Sequence, residues 1–147
     1  MESLEYPTSE SIEKLCEDLK LEKPDKYSQN WENEIVVNYS RIKEFIRYYR
    51  SNNLDDETKL TLMILIINSL NDFLGIRTQL NNEIWNELLD ILLQENQVHM
   101  NTILYWAMEE EEELEYVFPI TPYIRVVLSE IRKFEEIQSL KPLFIKA

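Results

Sequence analysis

The chain holds one glycine, one cysteine and one histidine in 147 residues, and each scarcity removes a class of answer. A single glycine, Gly75, beside five prolines leaves few sites for tight hairpin turns, which argues against an all-β fold. It also leaves no glycine-rich loop to cradle a phosphate. Cys16 has no partner for an internal disulfide and falls at an apolar helical position, where a small buried hydrophobe is expected. With only Cys16 and His99 there is no zinc set at the usual ligand spacings, and nothing local supports the two as a nucleophile and base. His99 is expected to pack or cap. No apolar run is long enough to span a membrane, which takes about 20 residues. The longest, residues 60–67, is interrupted by Thr61 and ends at Asn68 and Ser69. The acidic N-terminus lacks the apolar segment of a secretory signal, so a cytoplasmic protein is expected.

The largest absence is of positive charge. Between Arg77 and Arg125 there is no Lys or Arg, while Glu83, Glu87, Asp90, Glu95, Glu109, Glu110, Glu111, Glu112, Glu113 and Glu115 fall there. These ten carry most of the formal net charge of −13; the rest of the chain has 18 of the 28 acids against all 15 bases. So acidic a surface repels nucleic acid and anionic membranes and suits a basic protein partner.

What is present reads as helix. With 44% hydrophobic and 29% charged residues the chain is globular. Its length suits one domain over residues 1–147, all-α, with about six helices packed around a central apolar one. Residues 9–21 place Ile12, Leu15, Cys16 and Leu19 on one face, and Pro24 opens a polar connector. A second helix over residues 31–50 carries Ile35, Tyr39, Ile42, Phe45, Ile46 and Tyr49, with Arg41, Lys43, Arg47 and Arg50 on its other faces. Asp55, Asp56 and Glu57 suit a helix N-terminus and open residues 55–74, which are apolar nearly all round. This is the expected central helix, closed by Gly75 as a left-handed cap.

Asn81 or Asn82 caps a fourth helix bearing Ile84, Trp85, Leu88, Leu89, Ile91 and Leu92. A fifth spans residues 98–115, with Met100, Ile103, Leu104, Ala107 and Met108 inward, and Phe118 and Pro119 end it. Thr121 and Pro122 supply a capping hydroxyl and a first-turn proline for a sixth, with Ile124, Val127, Leu128, Ile131 and Phe134 inward. Residues 140–147, with Pro142, are expected to be irregular. No sequence repeat is present, but paired helices on short turns resemble a small helical-repeat array.

The candidate site lies on the fifth helix. Glu109, Glu110, Glu111, Glu112 and Glu113 fall near its predicted C-terminal end, where each opposes the macrodipole by roughly 0.3–1 kcal/mol. A charge pattern that opposes its own helix points to function, and a solvated face is the plainer alternative. Glu115, Tyr116 and Trp106 join the run as a candidate partner-binding surface, with Glu87 and Asp90 from the fourth helix. Core packing is the alternative for each aromatic. An Arg-rich partner would pair with the carboxylates and stack on the rings.

Glu87 and Asp90 are three apart, as are Glu109 and Glu112, and Glu110 and Glu113, so each pair shares a helix face. Facing pairs of this kind hold Mg²⁺ in the all-α nucleotide pyrophosphohydrolases. There the Glu-x-x-Glu pair precedes the Glu-x-x-Asp pair; here the order is reversed, and no basic cluster stands by to hold phosphates. A Mg²⁺-dependent all-α nucleotide hydrolase is therefore only the third reading, and no metal, cofactor or enzymatic activity is expected.

In size, charge and its Asn/Ile/Leu/Glu-rich composition the chain resembles the cytoplasmic immunity proteins that neutralise bacterial toxins, including those of contact-dependent growth inhibition systems. The resemblance implies an acidic inhibitor that is steered onto a basic toxin domain, often a nuclease, and occludes its active or substrate-binding surface. The alternative is a non-catalytic helical scaffold or adaptor, with an apolar groove around Tyr48 and Tyr49.

Overall fold

A computed structural model describes residues 5–24, 31, 38–77 and 79–145, with side chains as far as Leu140. Six α-helices and no strand occur among them. They are α1 (Ser9–Leu19), α2 (Ile42–Ser51), α3 (Asp56–Leu74), α4 (Asn82–Gln94), α5 (Asn96–Ala107) and α6 (Thr121–Ile145). Short polar side chains set several of the starts. Thr8 and Ser11 cap α1 reciprocally, Asp55 accepts the Thr58 amide at 2.8 Å to open α3, and Asn81 accepts the Ile84 amide at 3.1 Å to open α4.

The helices alternate between two layers. In one, α3 packs between α1 and α5; in the other, α4 packs between α2 and α6. The contacts of α2 with α3, and of α5 with both α4 and α6, join the layers. Helix i thus packs on helix i+2 within each layer, alongside the extensive pairing of α5 with α6. This packing explains the composition of α3, which has a neighbour on either side and α2 across from it. Leu60, Leu62, Met63, Leu65, Ile66, Ile67 and Leu70 are fully buried. The small polar residues of α3 serve close packing: Thr61 meets Ser11 of α1 at 2.6 Å, and Ser69 accepts the Asn38 amide at 3.1 Å. The principal neighbours of α4 and α6 are α2, α5 and each other. The apolar helix expected at the centre, α3, thus packs against α1, α2 and α5, within a two-layer stack. Cys16 is buried in the core, as its position implied.

Several expectations are corrected. The predicted second helix is not continuous: Asn38 is extended and turns its carboxamide onto Ser40, starting a 3-10 turn (Tyr39–Arg41) before α2. Residues 25–30 and 32–37, which held part of the predicted connector and helix, including Ile35, lie outside the described residues. The tail is helical rather than irregular up to Ile145, since α6 passes through Pro142 at the loss of one backbone bond. Phe134 is 61% exposed, not inward. The 25-residue α6 outruns the 12-residue α5 beside it, by about 20 Å at 1.5 Å per residue, and its apolar stripe continues past its support.

Gly75 is right-handed, with φ −67 and ψ −20, so no left-handed seat requires it. The two described residues with positive φ are Lys20 and Met108. A Cβ at Gly75 would meet the Asp72 carbonyl at 3.3 Å, tight but next to a terminal turn that can give. Gly75→Ala is therefore expected to change stability by less than about 1 kcal/mol in urea unfolding, where a left-handed glycine would lose about 1–2 kcal/mol.

Candidate partner-binding surface

The acidic run is not helical. α5 stops at Ala107, and Met108 turns the chain through a left-handed conformation with φ 45. The predicted extension to residue 115 fails because α6 captures the end of α5. A helix leaves its last four carbonyls without internal partners. Here the Thr121 hydroxyl donates to the Trp106 carbonyl at 2.7 Å instead of capping its own helix. Arg125 donates from Nε to the Ala107 carbonyl at 2.7 Å, and from Nη2 to the Met108 and Glu111 carbonyls at 2.7 and 2.8 Å. The guanidinium also puts positive charge at the negative end of the α5 dipole. Carboxylates opposing their own helix, the motive for assigning them function, are thus absent.

What replaces them is a pinned loop. Glu109 accepts two bonds from Arg132, at 2.6 and 2.9 Å, and this guanidinium holds its carboxyl below the usual range. Glu113 donates its amide to a Glu111 carboxylate oxygen at 3.2 Å, and a 3-10 turn (Leu114–Tyr116) follows. Glu110, Glu112, Glu113 and Glu115 are exposed, and among the described residues none pairs with a cation. Beside them Leu114 and Tyr116 are 66% and 65% exposed.

The remaining predicted residues lie elsewhere. Trp106 is only 6% exposed and packs against Phe118 at 4.7 Å, so it supports the surface from within. Glu87 and Asp90 face α2, where Arg50 donates to the Glu87 carbonyl and to Asp90, both at 3.2 Å. Glu87 lines a groove there with Lys43, Arg47 and Arg50, whereas Glu109 lines another with Arg125, Arg132 and Lys133. The stretch without bases in sequence is therefore not without bases in space. The facing Glu-x-x-Asp and Glu-x-x-Glu pairs are not formed, and among the described residues no three metal-ligating side chains come together.

Two features were missed. A groove of about 690 Å³ runs between α3 and α5, lined by Asn68, Asn71, Asn101, Thr102, Tyr105, Trp106 and Phe118, with Glu5 to Pro7 along it. The signal was there: Asn68 and Asn71 are an i, i+3 polar pair in the C-terminal half of a largely apolar helix, and Thr102 and Tyr105 repeat that spacing on α5. The second is a buried polar cluster. His99 is fully buried, shares a 2.8 Å hydrogen bond between Nε2 and the Tyr49 hydroxyl, and has no described partner at Nδ1. Lys59 and Glu95 pair beside it at 2.5 Å. Lone histidines pack more often than they act, as this one does.

No family model, curated protein or solved structure matches the chain.

Arg125→Ala should cost about 1–3 kcal/mol in urea unfolding, because the Ala107 and Glu111 carbonyls lose this donor and Met108 keeps only the Glu111 amide. It should also speed amide exchange across residues 109–116; an unchanged loop would show that Arg125 does not hold it. Burial lowers the His99 pKa from 6.5 to about 4. Below pH 6.5 the unfolded chain takes up a proton that the folded chain refuses, so stability is full above that pH and falls towards pH 4. The total loss is on the order of 3 kcal/mol. The carboxylates with lowered pKa, including Glu95 and Glu109, lose their share only below the usual carboxylate range. Between about pH 6.5 and 5 the decline should therefore belong to His99, and His99→Gln should flatten it in denaturation midpoints.

Proposed function

We propose that the chain is a non-catalytic inhibitor of the immunity type, acting in the cytoplasm, which binds a basic protein through residues 109–116. The carrying observation is the loop held at three carbonyls by Arg125, presenting unpaired carboxylates beside exposed Leu114 and Tyr116. A loop already fixed spends little binding energy on ordering. The carboxylates steer a basic partner and speed encounter, while each exposed pair adds only about 0–1 kcal/mol to affinity. Tyr116 and Leu114 are then the apolar anchors that slow dissociation. Blocking the active or substrate-binding surface of a basic toxin, often a nuclease, follows from the same charge, since that surface is itself built for an anion.

An adaptor role is the second reading. The surface it would use near Tyr48 and Tyr49 is polar: Tyr49 is buried beside a pocket of about 240 Å³ that Arg50, Lys59 and Glu95 also line, and the Tyr48 hydroxyl donates to Asp18 at 2.5 Å. The exposed Phe134 and Ile137 on the overhang of α6 are what favour it instead.

The gene immediately upstream is expected to encode a basic toxin domain. That domain should associate with the chain at a rate that falls steeply with salt, and Glu110→Lys with Glu113→Lys should slow association about tenfold or more. A harmless neighbour, or a rate insensitive to salt and to both reversals, overturns the proposal.

A further inference from the structure

We propose that the groove between α3 and α5 receives an arginine side chain of the basic partner, an inference that rests on the function proposed above and adds a second contact point to it. The lining holds no Lys or Arg and one carboxylate, Glu5, so it repels anions and accepts cations. Its rings suit a flat cation in particular. Tyr105 lies near parallel to Phe118 (interplanar 29°, centroids 5.9 Å apart) and edge-on to Trp106, with one side open to solvent. A guanidinium stacks on such faces, and it sheds water more readily than the compact ammonium of lysine.

The polar groups of the groove supply acceptors. The Asn68 carboxamide spends its Nδ2 on the Ile64 carbonyl at 3.0 Å, which turns Oδ1 towards new donors. Asn71 accepts the Ile120 amide at 3.1 Å with Oδ1 and keeps its Nδ2 for a main-chain carbonyl. At the floor Thr102 is 5% exposed, and its hydroxyl has no described hydrogen-bond partner. A buried hydroxyl without a partner is costly, and a donor reaching the floor relieves it. At about 690 Å³ the groove has room for an arginine side chain and the backbone around it. It also begins where the acidic loop ends: Phe118 is two residues beyond Tyr116, so one basic segment can lie across both.

The test uses N-acetyl-arginine amide as the probe, titrated into the full chain and followed by ¹H–¹⁵N NMR. Saturable shifts are expected at the Asn68 carboxamide, the Trp106 indole and the Thr102 and Tyr105 amides. N-acetyl-lysine amide should bind about fivefold more weakly, and Tyr105→Ala and Asn68→Ala should each weaken the arginine probe by about as much. Tyr105 is exposed and Asn68 half-buried, so both variants should fold, and their spectra report it directly. Shifts that do not saturate, equal binding of the lysine probe, or shifts confined to residues 109–116 overturn the proposal. The last result leaves the acidic loop as the binding surface. If the groove binds arginine but charge reversal in the loop leaves partner association unchanged, the loop reading fails alone.

Discussion

One guanidinium sets the geometry of the functional half of the molecule. Arg125 of α6 reaches back to the carbonyls of Ala107, Met108 and Glu111, so it terminates α5, fixes the turn at Met108 and holds the first part of the acidic loop. Without it the end of α5 would present carbonyls and carboxylates to each other, both negative. Thr121 does the same for Trp106 one turn earlier on α6. The tight packing of α5 on α6 and the shape of the anionic surface thus have a common cause, and neither can change without the other.

Charge segregation along a chain and charge segregation on a surface are different properties. The two-layer stack lays α2, with its cations, against α4, and α6, with Arg125, Arg132 and Lys133, against the acidic loop. Glu87, Asp90 and Glu109 are drawn into these mixed surroundings, whereas Glu110, Glu112, Glu113 and Glu115 stay apart from cations. The loop is therefore a smaller and sharper anionic feature than the ten acids of the sequence suggest. Leu114 and Tyr116 give it the apolar content that charge alone lacks.

The all-α fold was legible because apolar spacing is a local signal. α1, α3 and α4 lie close to where Leu15 and Leu19, the apolar run after Asp55, and Asn81 place them. The misplaced boundaries depended on partners distant in sequence. The end of α5 is decided by Arg125, and nothing between Val98 and Glu115 announces it. Phe134 continues a faultless inward spacing, and its exposure reflects the length of α6 relative to α5, which periodicity does not encode. Gly75 shows the converse limit: glycine after an apolar run suggests a left-handed cap, yet those conformations fall to Lys20 and Met108. In the site, the exposed acids were legible as charge, while the groove needed α3 and α5 to be placed side by side before Asn68 and Thr102 could be seen to share it.

The alternation of helices between two layers has a consequence for how the chain reaches its structure. The principal partners of every helix lie one or two helices away along the chain. Such closures reach 50 residues, as between Ser11 and Thr61, and the chain entropy they exact grows only slowly with that length. An all-helical topology, with much of its contact inside helices and between neighbours along the chain, belongs with those that fold fast. During synthesis α1 and α3 can dock, with Ser11 and Thr61 already in register, before α5 and α6 have been made. The acidic loop, framed by the last two helices, is then among the final parts to take shape.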